Sequence, residues 1–83
     1  MSSIYSDEYQ LVIKILRAAR KEKGLTQVKL AQALGRPQSF VAKMESGERR
    51  LDVVEFAHIA ALLSIDPVNI LNIITVSYTH LRA

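Results

Sequence analysis

Residues 30–47 read LAQALGRPQSFVAKMESG, and that stretch leaves the backbone few choices. Two short apolar-and-small runs are broken by Gly35-Arg36-Pro37. A glycine there supplies the positive φ that ends one helix at little steric cost. A proline directly after it suits the first turn of the next. The second run then opens on Gln38 and Ser39, both polar. Two helices that only pack together would hardly need that opening. The arrangement suits a chain that turns sharply and holds the start of its second helix toward a polar partner.

Similar punctuation recurs along the chain. Ser6 reads as an N-cap, with Asp7 and Glu8 where the helix dipole favours negative charge. From Glu8 to Lys23, Val12, Leu16 and Ala19 form one apolar stripe, closed by Gly24. Thr26 is a second N-cap, leading through Leu30, Ala31 and Leu34 to Gly35. A third helix is expected from Pro37 or Gln38 to Ser46, ended by Gly47. Asp52 with Glu55 reads as a capping box opening a fourth helix through Val54, Ile59, Ala60 and Leu63. Asp66-Pro67 opens a fifth, carrying Ile70, Leu71 and Ile74. Strand signals are weak, so the class is all-α with five helices. The last stretch, TVSYTHLRA, breaks the pattern, because Thr75, Val76, Tyr78 and Thr79 favour extended structure. It also resembles the translated read-through seen at the ends of unrelated reading frames. The domain is therefore expected over residues 1–74, with 75–83 a tail that is foreign to it.

Eighty-three residues make one small domain, whose core alone supplies only a few kcal/mol. The absence of cysteine excludes a disulfide framework and a thiolate metal site. The opening MSSIYSDEYQ lacks a basic run followed by an apolar segment, and no apolar run approaches the roughly 20 residues that cross a bilayer. The expectation is a soluble cytoplasmic protein with no membrane contact. Net charge is only +3, but it is unevenly placed. Lys14, Arg17, Arg20, Lys21, Lys23, Lys29, Arg36, Lys43, Arg49 and Arg50 lie in residues 14–50 against Glu22, Glu45 and Glu48. Both ends of the chain are net acidic. That concentration favours a face for a polyanion.

From Gln27 to Met44 the chain resembles a helix-turn-helix of the Cro and phage-repressor type, the XRE family. TQVKLAQALG is similar to the family's first motif helix, and SFVAKMESG to its second helix and exit. The resemblance covers about residues 9–74. Several steric requirements meet at fixed spacing: Ala31 is small at the helix crossing, Gly35 lies in the turn, and Leu30, Leu34, Val41 and Met44 close the core beneath. It implies a five-helix lambda-repressor-like domain with the helix-turn-helix at helices 2 and 3, binding double-stranded DNA. In such proteins the second motif helix enters the major groove with its N-terminal residues at the base edges. Gln38, Ser39, Phe40 and Lys43 are then the expected base contacts. Phe40 can meet a thymine methyl or pack on its own protein. Gln27 matches a family position that uses its side chain and the helix N-terminus on a phosphate. Arg36, Arg49 and Arg50 are expected phosphate clamps.

Two residues depart from the family pattern. Arg36 stands where an apolar residue is usual, and Pro37 where a Ser or Thr cap is usual. The side-chain cap is thereby lost, and proline's fixed φ is expected to offset it. The resemblance also implies an ion pair between Arg20 and Glu45. Arg20 lies four residues after Leu16 on the inward side of its helix. A glutamate near a helix C-terminus opposes the dipole and needs a partner. Ile70, Leu71, Ile73 and Ile74 offer more apolar surface than one side of a short helix buries, which implies a homodimer.

No nucleophile with a base, carboxylate pair or phosphate-cradling loop can be assembled, and His58 and His80 read as non-ligands. The expectation is no enzyme, no cofactor and no metal. The leading reading is a regulator, a repressor on an inverted repeat. Alternatives are an antitoxin or restriction-system controller acting on its own promoter, with an unknown toxin as partner, or a scaffold for protein–protein contact.

Overall fold

Thr26, at φ −80° and ψ 166°, accepts the Lys29 N–H on its hydroxyl at 3.0 Å and starts α2, Gln27–Leu34. The computed structural model describes residues 7–82, and the caps set most of its helix boundaries. Gly35 ends α2 in the left-handed region, at φ 69° and ψ 30°. Pro37 then takes φ −68° and ψ 155° and makes no side-chain cap bond, yet α3, Gln38–Ser46, starts directly after it. The Phe40 N–H reaches the Pro37 carbonyl at 2.9 Å, so a backbone oxygen accepts from the N–H that a side-chain cap would have served.

Before these lies α1, Asp7–Glu22, which begins one residue earlier than the periodicity suggests. Its expected N-cap, Ser6, lies outside the described residues. Asp52 and Glu55 form the capping box of α4, Val53–Leu62, with both reciprocal bonds made. Asp66 accepts the Val68 N–H at 2.9 Å and opens α5, Pro67–Arg82.

The C-terminal stretch does not break into extended chain. α5 continues to Arg82, so the boundary expected after residue 74 falls inside one helix. Thr75 is accommodated there: its hydroxyl donates to the Leu71 carbonyl at 2.9 Å, a bond that helical geometry brings within reach. Intrinsic β preference is a weak force beside the continuation of an established helix.

The core forms where α1, α2, α3, α4 and α5 converge, around Leu16, Leu30, Val41, Met44 and Ile59, all fully buried. α2 packs against α3 and α4, α1 against α3 and α5, and α4 against α5. Ala31 is buried within this cluster, a small side chain on the helix that packs against both α3 and α4. Val54 is exposed, although it was expected inside; α4 turns Ile59, Ala60 and the following Leu63 inward. Gly47, at φ 84°, ends α3 where a Cβ would come 3.2 Å from Gln10 Nε2 on α1. α1 therefore closes over the exit of α3 as well as its middle. Among the described residues no helix is long and apolar enough to cross a membrane.

Candidate nucleic-acid interface

α3 separates its residues by period. Val41 and Met44 point into the core, while Gln38, Ser39 and Lys43 remain exposed. Phe40 goes with the buried set, which corrects its place among the base contacts. It shares a face with Met44 four residues on and is only 6% exposed. Its ring is also covered, with the Arg36 guanidinium carbon 4.2 Å and that of Arg49 4.8 Å from its centre. The open alternative, packing on its own protein, is the arrangement found.

The exposed turn of α3 connects to the interior through polar groups. Arg20 Nε donates to Glu45 Oε2 at 2.6 Å and Arg20 Nη2 to Glu45 Oε1 at 3.0 Å, a bidentate pair. Arg20 Nη1 donates to the Leu25 carbonyl at 2.7 Å, tying the α1–α2 turn into the same group. Gln27 Nε2 donates to Glu45 Oε1 at 3.0 Å, and Gln27 Oε1 accepts from Gln38 Nε2 at 3.1 Å. A continuous line of bonds thus runs from a buried arginine to the first residue of α3. Gln27 was singled out for a phosphate, and here its amide is the link that orients Gln38.

The three arginines expected as clamps are placed by different means. Arg36 Nη2 lies 3.4 Å from Glu55 Oε2, and Arg49 makes two bonds to the Glu55 carboxylate, at 2.9 and 3.0 Å. Arg50 lies over the Tyr9 ring, 4.7 Å from its centre. The hydrogen bond from the Asp52 backbone, with the Arg49 and Arg36 charges, holds the Glu55 carboxyl below its ordinary value against the opposing effect of burial. Tyr9 anchors the loop between α3 and α4: its hydroxyl donates to the Arg49 carbonyl at 3.2 Å and accepts the Leu51 N–H at 3.0 Å.

Tyr9 and Glu55 were not read as site residues. Tyr9 left a signal, since it lies on the apolar stripe with Val12 and Leu16, where a tyrosine hydroxyl must find a partner. Glu55 was visible only as half of a capping box, and its arginine partners are set by the tertiary fold.

The apolar residues of α5 divide. Ile70 is buried at 4% exposure and Ile74 is half-buried against the core, so Ile70 is corrected from interface to interior. Leu71 and Ile73 remain exposed at 47% and 43%. The helix turns two of the four inward, because its own domain needs them.

Chemically, the face offers an amide and a hydroxyl at the start of α3 and an ammonium in its last turn, with three guanidiniums nearby. Those groups suit the reading of base edges and the gripping of phosphates. The helix-turn-helix family matches residues 16–69. Among solved structures, an XRE-family like protein from Pseudomonas syringae pv. tomato str. DC3000 is 44% identical, with a TM-score of 0.77. That likeness covers 84% of this chain and 85% of the other. No match is found among the curated proteins.

Proposed function

The chain belongs to the XRE-family helix-turn-helix proteins, DNA-binding regulators of transcription, and from that premise we propose that it is a repressor that binds an inverted repeat as a homodimer. The observation that carries the reading is the exposed start of α3, held by Gln27 and the buried Arg20–Glu45 pair. In this reading Gln38 pairs with adenine N6/N7, Lys43 with guanine O6/N7, and Ser39 with a neighbouring base. Gln27 and the N-terminus of α2 meet one phosphate, and Arg36, Arg49 and Arg50 meet others. The DNA-binding unit includes α5, whose helix runs on past residue 74 to Arg82. Leu71 and Ile73 form the centre of the contact between two copies, with Ile74 at its edge.

Selection of bound fragments from random duplex DNA tests the reading, combined with sedimentation of the protein on the recovered duplex. The expected product is an inverted repeat with half-sites about 34 Å apart, one turn of DNA. Recovery of no enriched sequence overturns base reading. A single half-site bound by a monomer overturns the dimer and leaves base reading standing.

A further inference from the structure

Glu55 poses a problem for any polyanion-binding face, because it adds a negative charge beside the cations that would bind. Its surroundings resolve that conflict. The carboxylate takes two bonds from Arg49 and lies 3.4 Å from Arg36, while the Asp52 backbone N–H holds it at 3.0 Å. Both guanidiniums are also drawn onto the ring of Phe40, a residue fixed in the core. Arg36 precedes α3 and Arg49 follows it, so one carboxylate joins the two ends of that helix. The bonds occupy only part of each fork. Among the described residues Arg36 donates from a single terminal nitrogen, and Arg49 keeps Nε out of the pairing.

We propose that Glu55 is a positioning residue for DNA binding, holding Arg36 and Arg49 against Phe40 so that both guanidiniums meet the phosphates flanking α3. The proposal rests on the DNA-binding reading above. A free arginine loses rotamer entropy when it grips a phosphate. One held in place beforehand loses less. The carboxylate weakens the local field, and the ordering it imposes outweighs that loss.

The two effects have opposite signs, which makes the test sharp. Glu55→Gln keeps the N-terminal cap of α4, since glutamine serves equally at that position of a capping box. It makes the protein more positive while releasing the arginines. A random-sequence duplex of about 30 base pairs is the probe, because phosphate contacts do not depend on sequence. Titrations over a salt series use the parent, Glu55→Gln, Arg49→Ala and the double variant, each checked by melting. The expected result for Glu55→Gln is binding weaker by roughly three- to tenfold with a shallower salt slope. Arg49→Ala should cost less in the Glu55→Gln background than in the parent, because the residues act together. Glu55→Asp keeps the charge and shortens the reach, so it should also weaken binding. Equal or tighter binding by Glu55→Gln, or parent-like binding by Glu55→Asp, overturns the positioning role. A parent that binds no duplex at low salt overturns the underlying DNA reading instead.

Discussion

Glu45 and Glu55 each sit near two arginines, and their surroundings give those pairs different work. The Glu45 side chain is 4% exposed and its close partner Arg20 8%, whereas Glu55 is 13% exposed with partners at 37% and 41%. Around Glu45 the close donor Arg20 is buried, while its second arginine, Arg17, stands at 3.9 Å and is exposed. Around Glu55 the guanidiniums keep one side to solvent. A buried pair is costly to break because the surviving charge cannot be rehydrated. An exposed pair contributes little to stability, since water and salt compete for both groups. Glu45 thus joins α3 to α1 inside the domain, whereas Glu55 sits beside cations that reach solvent.

The largest effect should follow from cutting the buried pair. Glu45→Ala leaves Arg20 with the Leu25 carbonyl as its remaining partner and should cost on the order of 3–5 kcal/mol. In a domain this small that approaches the whole stability. Replacing Arg20 and Glu45 together by well-packed apolar residues should restore much of it, and DNA binding should return as far as α3 keeps its angle. Thermal melting of the two single variants and the double variant is the measurement. Single variants melting within about two degrees of the parent would show the charges to be solvated, and the comparison would collapse.

Next in size are the exposed polar residues of α3, of which Gln38 is held by Gln27 and through it by Glu45. Gln38→Ala and Lys43→Ala should each cost about 1–3 kcal/mol on a selected sequence and relax preference there. Arg50→Ala should weaken all sequences alike and flatten the salt slope by about one unit. Equal losses on cognate and random duplex for Gln38→Ala would place the base-reading register elsewhere on α3.

How much of this was legible beforehand follows the range of the forces involved. Caps are local, so Thr26, Gly35, Asp52 and Asp66 could be placed from their immediate neighbours. The core stripes of α1 and α3 follow period and were legible for the same reason. The site was only partly so. Phe40 lies four residues before core Met44, so period alone puts it on that face, and only the packed fold shows Arg36 and Arg49 covering its ring. Ile70 could not be told from Leu71 without knowing which side of α5 meets α1 and α4. The Glu55 cluster gathers side chains from positions 36, 40, 49 and 55, a grouping that no local pattern encodes.

A smaller effect is expected at the loop between α3 and α4. Tyr9→Phe keeps the packed ring and removes the hydroxyl that serves the Arg49 carbonyl and the Leu51 N–H. The stability loss should be about 1 kcal/mol, the scale of a hydrogen bond in a partly wet site. Hydrogen exchange should quicken at the Leu51 amide more than in the middle of α3. An unchanged Leu51 amide would mean that the loop is held by its arginines alone.

The smallest effect tests the exposed member of the comparison, through acid. The Glu55 carboxyl is held below its ordinary value of 4.5, first by the Asp52 backbone hydrogen bond and then by Arg49 and Arg36. A carboxylate depressed on folding contributes stability that is fully present above its unfolded value and is lost as pH falls through its folded value. The window therefore lies below about pH 4.5, and nothing should change between pH 6 and 8 from this group. Because Arg36 and Arg49 are well exposed, the total should stay under about 1 kcal/mol and shrink with added salt. Glu55→Gln cannot lose this contribution. Denaturant melts of parent and Glu55→Gln should thus differ slightly at neutral pH and converge as the solution is acidified. The buried pair should be less sensitive to salt than Glu55, since water and ions reach it poorly. If parent and variant lose stability in parallel through acid, the Glu55 charge adds nothing to folding. Its bonds to the two arginines would then matter only for where those side chains point.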